Sequence, residues 1–289
     1  MDPRDDRAAS RPTLWQRMAI RKLRRAAGRE AGEPLSPEDW EIAWRLHETG
    51  LGGVVATFFA ALPSSPRCGI CGAPFAGPGR WIVGPLGYRP SRKNPNVCGT
   101  CVEFSPPGGM KQHVGVLFAD LRGFTARFDG ADPEEASRLL RRFYRCAEDV
   151  LFPEAVIDKL IGDEVMALYL PELSRKMTRA DVPALMLDHA RELLRSVGYG
   201  SGSEPFAAMG IGIDVGEAFV GNIGQRALYD FTAVGDVVNT ASRLQGQAAG
   251  GEIVLSQRVA DGLGGPVGTR VELELKGKLE PQAAYRIAV

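Results

Sequence analysis

Asp120, Lys159, Asp163 and two cysteine pairs are the residues of this sequence that could do chemistry. Asp120 follows the apolar run His113–Ala119 (HVGVLFA), and Asp163 sits in the Gly162-Asp163-Glu164 turn of VIDKLIGDEVMALY, Val156–Tyr169. Paired carboxylates with little other protein ligation suit Mg²⁺ or Mn²⁺ holding phosphate groups. Two such ions would activate an attacking oxygen and neutralise phosphate charge. Lys159 stands among apolar neighbours, and a charge in a strand that apolar needs a reason.

Cys68-Gly-Ile-Cys71 and Cys98-Gly-Thr-Cys101 are two knuckles that supply four thiolates. Four such ligands suit tetrahedral zinc, with an iron–sulfur cluster as the alternative. The segment between them is rich in Gly, Pro and Arg and too poor in apolar residues to build a core alone. A metal would have to hold it together. Ser91-Arg92-Lys93-Asn94 within it reads as a solvated turn, with nucleic-acid contact the weaker reading.

The elements that position these groups follow from periodicity. Val156, Ile157, Leu160 and Ile161 before the Gly-Asp turn, and Val165, Met166, Leu168 and Tyr169 after it, predict a β-hairpin. In a β-α-β-β order the first strand is expected beside the hairpin's first strand, which would bring Asp120 and Asp163 together. Asp132-Pro133-Glu134-Glu135 starts a helix running to about Phe152, with Cys146 as a packing residue. Ala180–Val197 reads as a helix on which His189 is a surface or packing residue. Phe206–Asp214 and Glu217–Val220 read as a strand pair. A strand at Tyr229–Val234, a helix at Val237–Gln247 and strands at Ile253–Leu255, Val271–Leu275 and Ala283–Ile287 complete the set. The expected fold class is α+β, with a ferredoxin-like βαββαβ core.

Upstream, residues 1–30 are basic and carry Leu14 and Met18 at helical spacing. A helix there would rest on an anionic membrane or a partner helix, or stand solvated. Ser36-Pro37-Glu38-Asp39 starts a helix with Trp40, Ala43, Trp44 and His47 on one face, and Leu51–Leu62 reads as another. Pro63–Arg67 looks like a linker. The expected domains are a helical region at 1–62, a four-cysteine module at 63–110, and the remainder at 111–289. Zero formal net charge over 289 residues gives no support for general nucleic-acid binding. The charged N-terminus is unlike a signal peptide, and no apolar run reaches the ~20 residues that span a bilayer. The expected location is cytoplasmic, where four paired cysteines are better metal ligands than disulfides.

Five motifs occur in a fixed order: FADLRGFT (118–125), KLIGDEVMALY (159–169), GIGIDVGEAFVGNIG (210–224), FTAVGDVVNTASRL (231–244) and LKGK (275–278). Together they resemble a class III nucleotide cyclase catalytic domain over about 111–289. The resemblance implies conversion of ATP to 3′,5′-cyclic AMP and pyrophosphate. Asp120 and Asp163 match the metal-binding aspartates, with the backbone carbonyl of Leu121 completing the shell of two Mg²⁺ or Mn²⁺ ions. Lys159 and Thr232 match the purine-reading pair. A lysine there resembles the bacterial adenylate cyclase pattern, whereas guanylate cyclases tend to carry an acid. Asn239 and Arg243, four apart and so on one helix face, match the pair that orients ribose and stabilises the transition state. Lys276 and Arg226 are candidates for the triphosphate, with the Phe124 and Thr125 amides near the phosphates. The resemblance implies a homodimer whose two sites each draw on both subunits. Asp214 stands where family members often have histidine, with no expected effect on chemistry. The alternatives are a guanylate cyclase or a non-catalytic metal or redox sensor.

Overall fold

The computed structural model describes residues 57–62, 66–68, 71–91, 95, 97–101, 108–152, 154–173, 177–225, 228–265 and 267–289, with 21, 24, 28 and 30 as isolated positions. The helix expected from Ser36 with Trp40, Ala43, Trp44 and His47, most of the basic segment, Arg92-Lys93-Asn94 and Arg226 lie outside these residues. Packing divides the chain into two compact units, Met1–Lys111 with Phe219–Thr232, and Gln112–Ala218 with Ala233–Val289.

In the first unit, residues 57–61 are helical. Helix α1 (Gly77–Val83) carries proline in its first turn, where no backbone donor is missed, and runs into a 3₁₀ turn at Gly84–Leu86. Arg67 and Pro74 form one isolated bridge, Pro90 and Cys98 another. Ser91 is buried, and its amide donates to the Val97 carbonyl at 2.8 Å, so this residue is not a solvated turn position.

The second unit is built on a mixed sheet. Its elements are β1 (Gly108–Leu121), α2 (Phe124–Phe128), α3 (Pro133–Leu151), β2 (Val156–Ile161), β3 (Glu164–Tyr169), α4 (Val182–Val197), β4 (Met209–Gln225), β5 (Leu228–Val234), α5 (Asp236–Gln247), β6 (Glu252–Ser256), α6 (Gln257–Gly262), β7 (Thr269–Leu273) and β8 (Gln282–Ala288). The start of β1 up to Lys111, the end of β4 from Phe219 and β5 as far as Thr232 belong to the first unit. The strand order is β2-β3-β1-β4-β6-β8-β7, with β5 paired to β4. β1-α3-β2-β3-α4-β4 is the ferredoxin-like α+β core. Asp132 caps α3 by accepting the Glu134 amide at 2.9 Å.

Two expectations are corrected. β1 does not lie beside the hairpin's first strand. Its neighbour is the second, β3, antiparallel, with Asp120 opposite Glu164. β3 is antiparallel to both β1 and β2 and lies between them. The expected strand pair at 206–220 is one continuous strand, Met209–Gln225. Gly216, between the two expected strands, lies under the start of α5: a Cβ there would meet Val237 Cβ at 3.4 Å.

Side chains alternate along β4, as strand geometry requires. Ile211, Ile213 and Val215 enter the main core with Leu117, Phe143, Met186 and Leu193. Gly210, Gly212, Asp214 and Gly216 share the opposite face, the one α5 crosses. β6 splits the same way, with Ile253 and Leu255 in the main core and Val254 packed with Leu244 of α5. A central sheet covered on both faces thus holds α5 close.

Candidate active site and cysteine cluster

The end of β1 and the hairpin tip bring three acids together. Gly162, at φ 60°, makes the tight turn, and the Leu121 amide donates to the Asp163 carbonyl at 3.1 Å. Tyr144 of α3 holds the tip from outside, its hydroxyl donating to the Gly162 carbonyl. Burial and then the Asp163 charge push the Asp120 carboxyl above its ordinary range, against the pull of Arg122. Glu164 is pushed up by burial and by both aspartates. Arg122 stands 3.6 Å from Asp120 and also donates to the Gln245 carbonyl at the end of α5. Asp120 and Glu164, half-buried and crowded by the Asp163 charge, form with it a donor set that a divalent cation would relieve.

Lys159 lies in β2 at an irregularity between Ile157 and Lys159 that displaces Asp158 from the ladder. The Asp158 side chain is 1% exposed, and its Oδ2 lies 3.2 Å from Lys159 Nζ. Asp158 therefore holds the lysine, a role that no spacing in the sequence announced. Thr232 lies buried in β5. Phe124 and Thr125 open the short helix α2, where Thr125 is exposed.

Asn239 and Arg243 sit one turn apart on α5, Asn239 exposed and Arg243 half-buried. The LKGK turn lies against Arg243: a Cβ on Gly277 would stand 3.3 Å from one of its guanidinium nitrogens. Lys276 on that turn is exposed, while Lys278 is committed to Asp236 by two bonds at 2.6 and 2.7 Å.

In the first unit the four thiols converge. The Sγ atoms of Cys68, Cys71, Cys98 and Cys101 all lie within 4.8 Å of one another. Cys71–Cys98 is 3.6 Å, Cys98–Cys101 3.4 Å and Cys68–Cys101 4.0 Å. The amides of Cys71 and Cys98 donate to Cys68 Sγ at 3.5 and 3.2 Å. Burial pushes the Cys68 thiol up, but hydrogen bonds from its three neighbours outweigh it and bring it down. Arg67 ties the cluster to the preceding helical residues through the Phe59 carbonyl at 2.7 Å and the Leu62 carbonyl, and Tyr88 meets Phe59 edge-on at 4.9 Å.

A family model of the adenylate and guanylate cyclase catalytic domain matches residues 108–288. The chain belongs to this family. The cyclase domain is similar to the adenylate cyclase of Anabaena cylindrica, 30% identical over 187 residues that cover 61% of this chain and 37% of the relative. It is also similar to adenylate cyclase 1 of Rhizobium meliloti, 31% identical over 146 residues, 50% of this chain and 22% of the relative. The match thus spans little more than a third of the first relative's length and about a fifth of the second's. Among solved structures, the guanylyl cyclase Cya2 superposes with a TM-score of 0.55 at 28% identity, over 62% of this chain and 93% of Cya2. The adenylyl cyclase CyaB from P. aeruginosa, at 23% identity and a TM-score of 0.53 over 62% of this chain and 95% of that one, supports the fold. Among the described residues no helix is long and apolar enough to cross a membrane.

Proposed function

We propose that the chain is an adenylate cyclase, converting ATP to 3′,5′-cyclic AMP and pyrophosphate. The observation that carries this reading is the meeting of Asp120 and Asp163 at the end of β1, each adding to the charge around the other. Asp120, Asp163 and the Leu121 carbonyl would hold Mg²⁺ or Mn²⁺, which when bound supplies charge neutralisation at the phosphates and an activated ribose 3′-oxygen.

The chain's own residues do the positioning. Lys159, held by Asp158, donates to a ring acceptor of adenine, and the Thr232 hydroxyl meets the exocyclic edge. Asn239 orients the ribose. Arg243 offers forked donors to charge developing on the α-phosphate, a contribution worth ~100-fold or more in rate. Lys276 faces the triphosphate from the adjoining turn, with Arg226 and the Phe124 and Thr125 amides completing the phosphate contacts. The 3′-oxygen attacks the α-phosphorus and pyrophosphate leaves, so orientation and electrostatics suffice without a covalent nucleophile.

The active form is a homodimer in which one subunit supplies the aspartates and the other Lys159, Thr232, Asn239 and Arg243. Exposed Leu160 (44%) and Ile161 (54%) on edge strand β2 support an apolar surface that a second copy would cover.

The four cysteines hold one zinc ion. Tetrahedral zinc with Zn–S bonds of about 2.3 Å would set sulfur edges near ~3.8 Å; three of the six spacings, 3.4–4.0 Å, bracket that value, and all six lie within 4.8 Å. A polynuclear cluster spreads its thiolates over several irons and needs a wider cage.

The test is product formation by the purified chain with Mn²⁺ and either ATP or GTP, alongside Asp120→Ala. Cyclic AMP from wild type alone supports the reading. Cyclic GMP would reassign the roles of Lys159 and Thr232, and no product from either purine would leave the sensor reading. Metal analysis of the same sample separates zinc from iron.

A further inference from the structure

A chain of charges runs from the middle of β4 to the surface. Asp214 is 0% exposed. Its Oδ1 accepts from the Val215 amide at 2.8 Å, the Ser256 hydroxyl at 2.6 Å and Arg258 Nε at 3.1 Å. Its Oδ2 accepts from Arg258 Nη2, closing a two-pronged pair. That same nitrogen stands 3.8 Å from Asp236, the first residue of α5. Asp236 in turn takes both bonds from Lys278 of the LKGK turn.

A buried carboxylate on a central strand is costly, and an apolar side chain of the same shape would do at least as well for stability. Its location supplies a reason for keeping it. Gly210, Gly212 and Gly216 leave the α5-facing side of β4 almost bare, and Asp214 is the one long side chain on that stretch. Gly235, the residue before α5, offers no side-chain cap. Beside the packing of buried Val237 over Gly216, the polar hold on the start of the helix runs through Asp236, which bonds Lys278 and stands 3.8 Å from Arg258. The turn that Lys278 secures is the one lying against Arg243.

We infer that the Asp214–Arg258–Asp236–Lys278 chain sets the position of α5 on the sheet, which makes Arg258 a positioning residue acting through Asn239 and Arg243. This rests on the cyclase reading above. Arg258 touches no reacting group. It transmits a fixed point in the core to the helix that presents the transition-state residues. Asp214, expected from the sequence to be indifferent to the chemistry, is the inner anchor.

Two variants test this in the whole 289-residue chain. Arg258→Lys keeps the charge and loses the fork. Lys278→Met breaks the outer link and leaves no core charge unpaired. Each is measured for Mn²⁺-dependent turnover of ATP and for hydrogen exchange of the amides of Val237, Val238 and Asn239. Each is expected to lower kcat about 10-fold with KM for ATP within about twofold, because a displacement of the helix is felt where charge develops. Exchange in the first turn should quicken about 10-fold. The double variant should lose less than the product of the singles, since both cut one chain. A role confined to stability would lower the melting temperature and leave kcat in place. Folded variants with wild-type kcat and wild-type exchange overturn the inference. If Arg258→Lys does not fold, Lys278→Met decides alone. A wild type that makes no cyclic nucleotide from either purine overturns the cyclase reading, and this inference with it.

Discussion

Gly212→Ala should cripple the enzyme through a single methyl group. Gly212 faces α5 from β4, and an added Cβ would stand 2.1 Å from the Gln245 amide nitrogen and 2.4 Å from the Ala241 carbonyl oxygen. Reaching the 3.4 Å of ordinary contact requires a movement of about 1.3 Å. The strand cannot supply it. β4 lies between β1 and β6, and Gly212 itself is paired opposite Val254. The helix must yield, and Arg243 lies between the two points of collision. Displacement of about 1 Å in a positioning element costs on the order of 100-fold in kcat. The overpacking itself costs about 1–3 kcal/mol. Gly246→Ala on the same helix is the control, since its Cβ would meet nothing within 4 Å. It should add about 1 kcal/mol of stability and leave turnover unchanged. The assay is Mn²⁺-dependent cyclic AMP production at saturating ATP, with thermal melts of all three proteins. A folded Gly212→Ala within twofold of wild-type kcat would refute the claim that close approach of α5 to β4 places the transition-state residues.

Asp163→Asn removes the charge that raises Asp120 and Glu164, so the metal-free protein should melt slightly higher while Mn²⁺-dependent turnover disappears; a lower melt contradicts the account of crowded acids. Lys159→Ala should reduce ATP turnover about 100-fold and leave the Mn²⁺ requirement intact, with the ratio of ATP to GTP turnover as the readout. Cys98→Ser should abolish stoichiometric zinc and unfold the first unit by several kcal/mol, seen as lost zinc and an early melting step; retention of one zinc per chain counts against the site. His189 accepts or donates to the Tyr169 hydroxyl at 2.9 Å, and burial holds its pKa below the ordinary range although Glu154 and Asp188 pull upward. A histidine depressed in the folded state resists protonation, so its stabilisation is fully present above the ordinary value of about 6.5 and is lost as pH falls from there through the lower folded-state pKa. Melts at about pH 7.5 and 5.5 should show a drop that His189→Asn lessens.

The parts of the site that could be read from the sequence are those set by local periodicity. Asp120 ends a buried strand, Asp163 occupies a tight turn, and Asn239 and Arg243 are one helical turn apart, so each location follows from its own few neighbours. What escaped depended on partners distant in the chain. The choice of β3 over β2 as the neighbour of β1 is a property of the whole sheet. The glycines of GIGIDVG have two explanations, a turn or a close approach, and the sequence alone does not choose between them. In the structure they are spaced by two and by four along one strand face, a period that means contact with α5 and not a bend. Asp214 falls in that same period. Read alone, it is a departure from a motif. Placed on the bare face of β4, 44 positions before the arginine that pairs with it, it becomes the one long side chain on that stretch that connects the core to the start of α5. A charge is tolerated there because the glycines around it bring α5 close enough to shield it, and α5 can come that close only because they carry no side chains. The glycine stripe and the buried pair are therefore one device, and substitutions in either should fail in the same observable, kcat.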